Sequence, residues 1–230
     1  MVGTNLLGSR CFHFFLAPLE IIEQTAQLLE LRKAAGIAER PFIVWEPRAY
    51  SCTPGELLDI VKALRVVDVF SPNHHELARI VALDVPATPD KDFFERLCTP
   101  LMSEMLKPND YRMLVLRAGN FGCFVKTRRQ SVWLPAYYGP SEKDAGVTDS
   151  KVVDTTGAGN AFLGAFAIGF MQSSGDIISA ACAGNIGASF VVEQVGVPGL
   201  TISENGKELW NGEEVSNRLE AYKTRLGIAF

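Results

Sequence analysis

Four short apolar runs, separated by stretches with helical spacing, limit what this chain can fold into. The runs are Cys11–Leu16, 42–45, 66–70 and 113–116. Each is too short for an ordinary helix and is bounded by turn or cap residues, so each reads as a strand. After the first run, Pro18 opens a segment in which Leu19, Ile22, Ala26 and Leu29 recur at helical spacing, and Gly36 is placed to stop it. Thr53-Pro54 supplies an N-cap and a proline at the first helical position, and Leu57, Leu58, Val61 and Leu64 then share one face. Ser71-Pro72-Asn73 makes a turn after the third run, and helices are expected over 74–81 and 93–106. Buried strands joined by helices form βαβ units, so the expected fold is α/β with a mainly parallel central sheet covered on both faces.

The pattern changes after Gly119. Segments 123–126 and 132–135 read as a hairpin or edge pair around 127–130. Residues 138–150 are polar and contain Gly and Pro, which reads as a loop. Residues 158–193 are apolar and rich in small side chains; they read as two helices, buried on several sides, separated at Gly175-Asp176. The segment 213–225 is amphipathic and reads as a surface helix.

Composition bounds the function. A chain of 230 residues with 47% hydrophobic and 21% charged residues builds a full core, so disorder, collagen-like repeats and coiled coil are excluded for the whole. A single domain is expected. A net charge of −4 argues against a nucleic-acid partner, which would call for a basic footprint. The five cysteines are odd in number and form no C-x-x-C pair, so reduced thiols are expected rather than disulfides or a zinc site. The N-terminus has no secretory pattern. The longest apolar run, 161–171, is far below the roughly 20 residues a membrane span requires. A soluble cytoplasmic protein without a membrane partner is the expectation.

The strongest local feature runs from Val152 through Asp154-Thr155-Thr156-Gly157-Ala158-Gly159-Asn160 to Gly164. It reads as a β-run, a glycine-rich turn and an apolar helix. Small residues let backbone N–H groups approach an anion, and a helix N-terminus adds positive partial charge. A dinucleotide fingerprint is disfavoured, because Phe162 stands where its last glycine should be, and no Walker loop occurs. A tight strand-to-helix turn with close packing is the other reading of the same glycines.

This stretch resembles the D-T-x-G-A-G-D signature of the ribokinase-like, or PfkB-type, carbohydrate kinases, with Asp154, Thr155, Gly157, Ala158 and Gly159 matching. Residues 71–76 resemble the family's P-N-x-x-E segment, through Asn73 and Glu76. Residues 115–122 resemble its V-T-x-G-x-x-G strand and turn, with Gly119 and Gly122 in place. Residues 180–196 resemble the small-residue helix beside the adenine site. The resemblance covers roughly 10–225 and extends to a fungal branch that includes the yeast killer-maintenance protein. It implies a three-layer α/β sandwich and Mg·ATP-dependent phosphorylation of a sugar or nucleoside hydroxyl. It also implies roles for particular residues. Gly157, Ala158, Gly159 and Asn160 would form the anion hole for the moving phosphoryl group. Asn73 and Glu76 would lie near the triphosphate, with Glu76 holding Mg²⁺ through water. Arg117, Gly119 and Gly122 would sit by the nucleotide, and Asn185 at the adenine edge. Asp154 and Gly196 fall where some members bind K⁺.

Two departures stand beside these matches. Asn160 occupies the position where the family carries a carboxylate general base. An amide cannot accept that proton at neutral pH, and losing a general base costs about 10²–10⁴-fold in rate. Asp149 and Asp154 are nearby carboxylates. The second departure is length: family members place a long further segment, carrying sheet strands, the lid and most sugar contacts, before the strand at Cys11–Leu16. The expectation is a domain lacking that N-terminal part and the lid, with an uncapped sheet edge open to self-association or a protein partner. Two functions follow as expectations: a carbohydrate kinase homologue with weak or lost turnover, or a non-catalytic nucleotide-binding or scaffold protein. Smaller features have plain readings. His74 and His75 read as surface imidazoles, Glu46-Pro47-Arg48 as a strand-end turn, Trp45 and Trp133 as core, and Lys126, Arg128 and Arg129 as a solvated hairpin tip. Arg117 stands where many members carry Thr or Lys.

Overall fold

The structure is a computed structural model that describes residues 5–105, 112–139 and 151–228. The chain divides into two compact units, 1–117 with 124–131, and 118–123 with 132–230. Six strands neighbour one another in sequence order in one sheet, β1 (Cys11–Leu16), β2 (Phe42–Pro47), β3 (Val69–Phe70), β4 (Met113–Arg117), β5 (Cys123–Lys126) and β6 (Ser131–Leu134). The first four are parallel.

In the first unit the βαβ reading holds. Helix α1 (Pro18–Ala34) starts at a proline, and Glu20 turns back to accept from the Ala17 N–H at 2.8 Å. It ends at Gly36, whose φ of +76° suits glycine and lets the Ile37 N–H reach the Arg32 carbonyl at 2.9 Å. Strands β1 and β2 pair along their whole length, Cys11 with Phe42 to Leu16 with Pro47. The Phe42 N–H donates to the Arg10 carbonyl and the Arg48 N–H to the Leu16 carbonyl, so even-numbered residues of β1 face β2. The backbone groups of Cys11, His13 and Phe15 therefore point away from β2, where no further strand pairs among the described residues and the Phe15 carbonyl accepts from Arg48 Nε at 3.4 Å. Trp45 is fully buried, its indole N–H donating to the Leu16 carbonyl at 2.9 Å and its ring 4.7 Å from that of Phe70.

The expected strand at 66–70 shrinks to two residues. The helical exit of α2 (Leu57–Ala63) runs on through the Val66 N–H, which donates to the Ala63 carbonyl, and ladder bonds begin only at Asp68. Helix α3 (His74–Ile80) ends one residue earlier than expected. Helix α4 (Lys91–Met105) starts two residues earlier, because Asp90 accepts from the Phe93 N–H at 2.7 Å. The β5–β6 turn at 127–130 is tied by Thr127, whose N–H donates to the Gln130 carbonyl. Arg128 and Arg129 are solvated as expected. Lys126 is not, because it pairs with Glu95.

In the second unit α5 (Ala158–Gln172) and α6 (Ile177–Val191) pack closely through small residues. A Cβ on Gly187 would lie 2.6 Å from the Ala165 Cβ and 2.9 Å from the Ala161 carbonyl oxygen. Asp176 caps α6, accepting from the Ser179 N–H at 2.8 Å. The sequence reading missed an antiparallel hairpin of β7 (Leu200–Ile202) and β8 (Glu208–Trp210), too short to show alternation. The tail helix α7 (Val215–Arg225) buries Arg218 and Tyr222 on one face. Trp133, expected in the core, is 38% exposed. No described helix is long and apolar enough to cross a membrane.

Candidate functional site

In the first unit, parallel register brings charged side chains to the carboxyl ends of β1 to β4, the side where open α/β sheets bind ligands. Phe15 is opposite Glu46, Trp45 opposite Phe70, and Asn73 bridges to Arg117 just beyond β3. The Arg117 guanidinium is the hub. Its Nη1 lies 2.8 Å from Glu46 Oε1, and its Nη2 lies 3.7 Å from Glu76 Oε2 and donates to the Ser71 carbonyl at 3.1 Å. His13 Nε2 is 3.1 Å from the other Glu46 oxygen. Burial alone would raise the Glu46 carboxyl, but the His13 hydrogen bond and the Arg117 charge hold it below its ordinary value.

Asn73 and Glu76 form a reciprocal capping box at the start of α3. Asn73 Oδ1 accepts from the Glu76 N–H at 2.8 Å, and Glu76 Oε2 accepts from the Asn73 N–H at 2.7 Å. The sequence signal N-x-x-E thus has a complete local structural use. His74 is buried rather than a surface imidazole, its ring 4.0 Å from that of His75. Its imidazole is pushed down by burial and by His75. The role implied for Glu76, holding a divalent ion, does not fit this arrangement. Glu46 has both oxygens engaged and Glu76 one, with a guanidinium already between them. Among the described residues no group of three or more His, Cys, Asp or Glu side chains is gathered as a metal ion requires.

In the second unit, the expected β-run before the glycine turn is not a strand. The Val153 and Asp154 N–H groups instead both donate to the Val192 carbonyl, at 2.7 and 3.2 Å. Asp154 Oδ1 accepts from the Thr156 N–H at 2.9 Å, and these bonds from Thr156 hold its carboxyl below the ordinary range. Gly157, with φ +82°, is the N-cap of α5. The Ala158 N–H turns back to the Thr155 carbonyl at 3.2 Å, and the helical ladder opens with the Ala161 N–H on the Gly157 carbonyl at 3.0 Å. No side chain caps this end, so the Gly159 and Asn160 N–H groups are left for an anion. The Asn160 side chain is exposed in the first turn.

Asp154 is tied to Val192 rather than to Gly196, which lies farther along the same turn with φ +91°. Asp149 lies outside the described residues. Gly119 and Gly122 take φ of +62° and +90°, and a Cβ on Gly122 would sit 2.0 Å from the Leu134 carbonyl oxygen. Close backbone approach therefore requires glycine there. Asn185 sits in the interior of this unit, 5% exposed, its amide nitrogen donating to Tyr222 Oη at 2.8 Å and to the Pro135 carbonyl at 3.2 Å. Tyr222 donates in turn to Pro135. His13 went unnoticed in the sequence reading. A histidine within an aromatic strand was the only signal, and its partner emerges only from the β1–β2 register.

Residues 25–201 match the pfkB family of carbohydrate kinases. Among curated proteins the chain is 31% identical over 228 residues to an uncharacterized protein of Schizosaccharomyces pombe, covering 96% of this chain and 62% of that one. It is 30% identical over 234 residues to Protein MAK32 of Saccharomyces cerevisiae, covering 97% of this chain and 56% of that one. The chain thus spans about six-tenths of the length of these relatives. Ribokinase from Thermotoga maritima superposes with a TM-score of 0.54 at 18% identity, over 95% of this chain and 58% of that one, which shows the ribokinase-like fold. The family match across residues 25–201 makes the chain a member of the pfkB carbohydrate kinase family.

Proposed function

We propose that this chain is a carbohydrate or nucleoside kinase homologue that binds ATP and transfers its phosphoryl group to a hydroxyl weakly or not at all. The observation that carries the reading is Asn160, exposed in the first turn of α5 beside open backbone N–H groups. The Gly159 and Asn160 N–H groups can hold the oxygens of a phosphoryl group, with the helix dipole favouring negative charge. The Asn160 amide can hydrogen-bond an acceptor hydroxyl and orient it, but it cannot take the proton. Asp154, with one oxygen bound to Thr156 and its pKa lowered, is a weaker base than an ordinary carboxylate. The potassium ion implied at Asp154 and Gly196 carries no step of this scheme.

The test is Asn160→Asp, measured for phosphoryl transfer from ATP with a panel of sugars and nucleosides. A rise of at least tenfold (out of about 10²–10⁴ available from a general base) supports the reading. An unchanged rate, with ATP binding intact by calorimetry, refutes Asn160 as the block. The second reading, a non-catalytic nucleotide-binding scaffold, is favoured by the backbone groups of Cys11 and His13 on β1, unpaired with any strand among the described residues, where a second copy or a partner strand would pair.

A further inference from the structure

The first unit places a fixed cation between two carboxylates at the ligand-facing ends of its strands. Arg117 is 2.8 Å from Glu46 and 3.7 Å from Glu76, and its side chain is only 13% exposed. Three of the four carboxylate oxygens are engaged: Glu46 Oε1 by Arg117, Glu46 Oε2 by His13, and Glu76 Oε2 by the Asn73 N–H. The guanidinium is anchored through Nη2, which donates to the Ser71 carbonyl at 3.1 Å, and the Arg117 backbone N–H separately donates to the Pro72 carbonyl at 3.2 Å. Its Nε–H is buried without an acceptor, so the group is placed for the carboxylates rather than for all its own donors. A guanidinium stays charged at every accessible pH.

We propose that Arg117 is the built-in counter-ion of the Glu46–Glu76 pair, and that this pair takes no divalent cation. Mg²⁺ demands a near-octahedral set of oxygens and keeps most of its waters. Arg117 fills that space with like charge, and moving it aside would break its bonds to Ser71, Glu46 and Glu76 together. One guanidinium offsets one of the pair's two negative charges and occupies the space between them, which lowers its electrostatic demand for metal.

The experiment titrates Mn²⁺ into the full chain by electron paramagnetic resonance, without nucleotide. The wild type is expected to take up no Mn²⁺ at this pair up to millimolar concentration. Arg117→Thr is expected to gain a site, tighter than any in the wild type by at least tenfold, and Arg117→Thr/Glu76→Gln to lose it. Wild-type Mn²⁺ uptake that Glu76→Gln abolishes overturns the proposal, and so does a folded Arg117→Thr that gains no site. If Arg117→Thr does not fold, Arg117→Met replaces it in the same titration with the same two outcomes, and wild-type Mn²⁺ uptake with its Glu76→Gln control decides the question if neither variant folds.

Discussion

Replacing Arg117 with methionine keeps much of the side-chain volume and removes the charge between Glu46 and Glu76. At 2.8 Å and an effective dielectric of about 20, the Arg117–Glu46 attraction alone is about 6 kcal/mol. Glu46, with its side chain 8% exposed, cannot recover that loss from water. It has a smaller alternative, which is to take up a proton. From an ordinary glutamate pKa of about 4.3, protonation at pH 7 costs about 4 kcal/mol, at 1.36 kcal/mol per unit. The smaller cost sets the penalty, which agrees with the 3–5 kcal/mol typical of breaking a buried ion pair.

The sign of the pH dependence follows. In the wild type the folded Glu46 pKa is depressed, so its contribution is fully present above the unfolded value and is lost only as pH falls through the lowered folded value. In Arg117→Met the carboxyl keeps only its His13 hydrogen bond against burial, its folded pKa is expected to rise, and the cost shrinks as the unfolded carboxyl also approaches protonation. At pH 5 that cost is about 1 kcal/mol. Urea denaturation of both proteins at pH 7 and pH 5 measures it. A penalty below about 1 kcal/mol at pH 7, or one that is the same at pH 5, refutes the reasoning, because either result means that Arg117 is not the partner that keeps Glu46 ionised.

Asn160→Asp raises phosphoryl transfer at least tenfold if the missing base limits turnover, read by coupled ATP consumption. Tyr222→Phe takes one acceptor from the Asn185 amide and one donor from the Pro135 carbonyl, leaving them only each other, and lowers stability by about 0.5–1.5 kcal/mol, read by urea denaturation. Gly187→Val drives a side chain against the Ala161 backbone and the Ala165 methyl, and separating α5 from α6 costs about 1–3 kcal/mol, read as a lowered Tm.

Local signals were legible where one residue type has one dominant use. Pro18, Gly36, the Ser71-Pro72-Asn73 turn and Gly175-Asp176 each mark a helix end, and each helix ends within a residue or two of its mark. The parallel sheet followed from run length and spacing. Short elements were not legible: β3 has two residues and β7 and β8 three each, below the length at which a period can be counted. The valines before the glycine turn have strand composition, yet Val153 and Asp154 instead share a single carbonyl at Val192. The glycine turn and Asn160 could be read because they are contiguous. The His13–Glu46–Arg117–Glu76 network could not, because its members lie on separate strands and meet only through register. Lys126 and His74 were misread for the same reason, their partners being set by tertiary packing.

That network also bears on the order in which the chain assembles. His13 and Glu46 lie 33 residues apart, and Arg117 reaches the Ser71 carbonyl across a further 46. As the chain leaves the ribosome, β1, α1 and β2 emerge as a complete βαβ unit while Arg117 is still unmade. Closing the sheet over Glu46 at that stage would enclose a carboxylate with only an imidazole for a partner, a costly state. Burial at the strand ends is therefore expected to wait for β4, with the first unit closing late rather than strand by strand. Until then the nascent chain carries apolar strand faces uncovered, the condition in which partly made α/β proteins depend on chaperones.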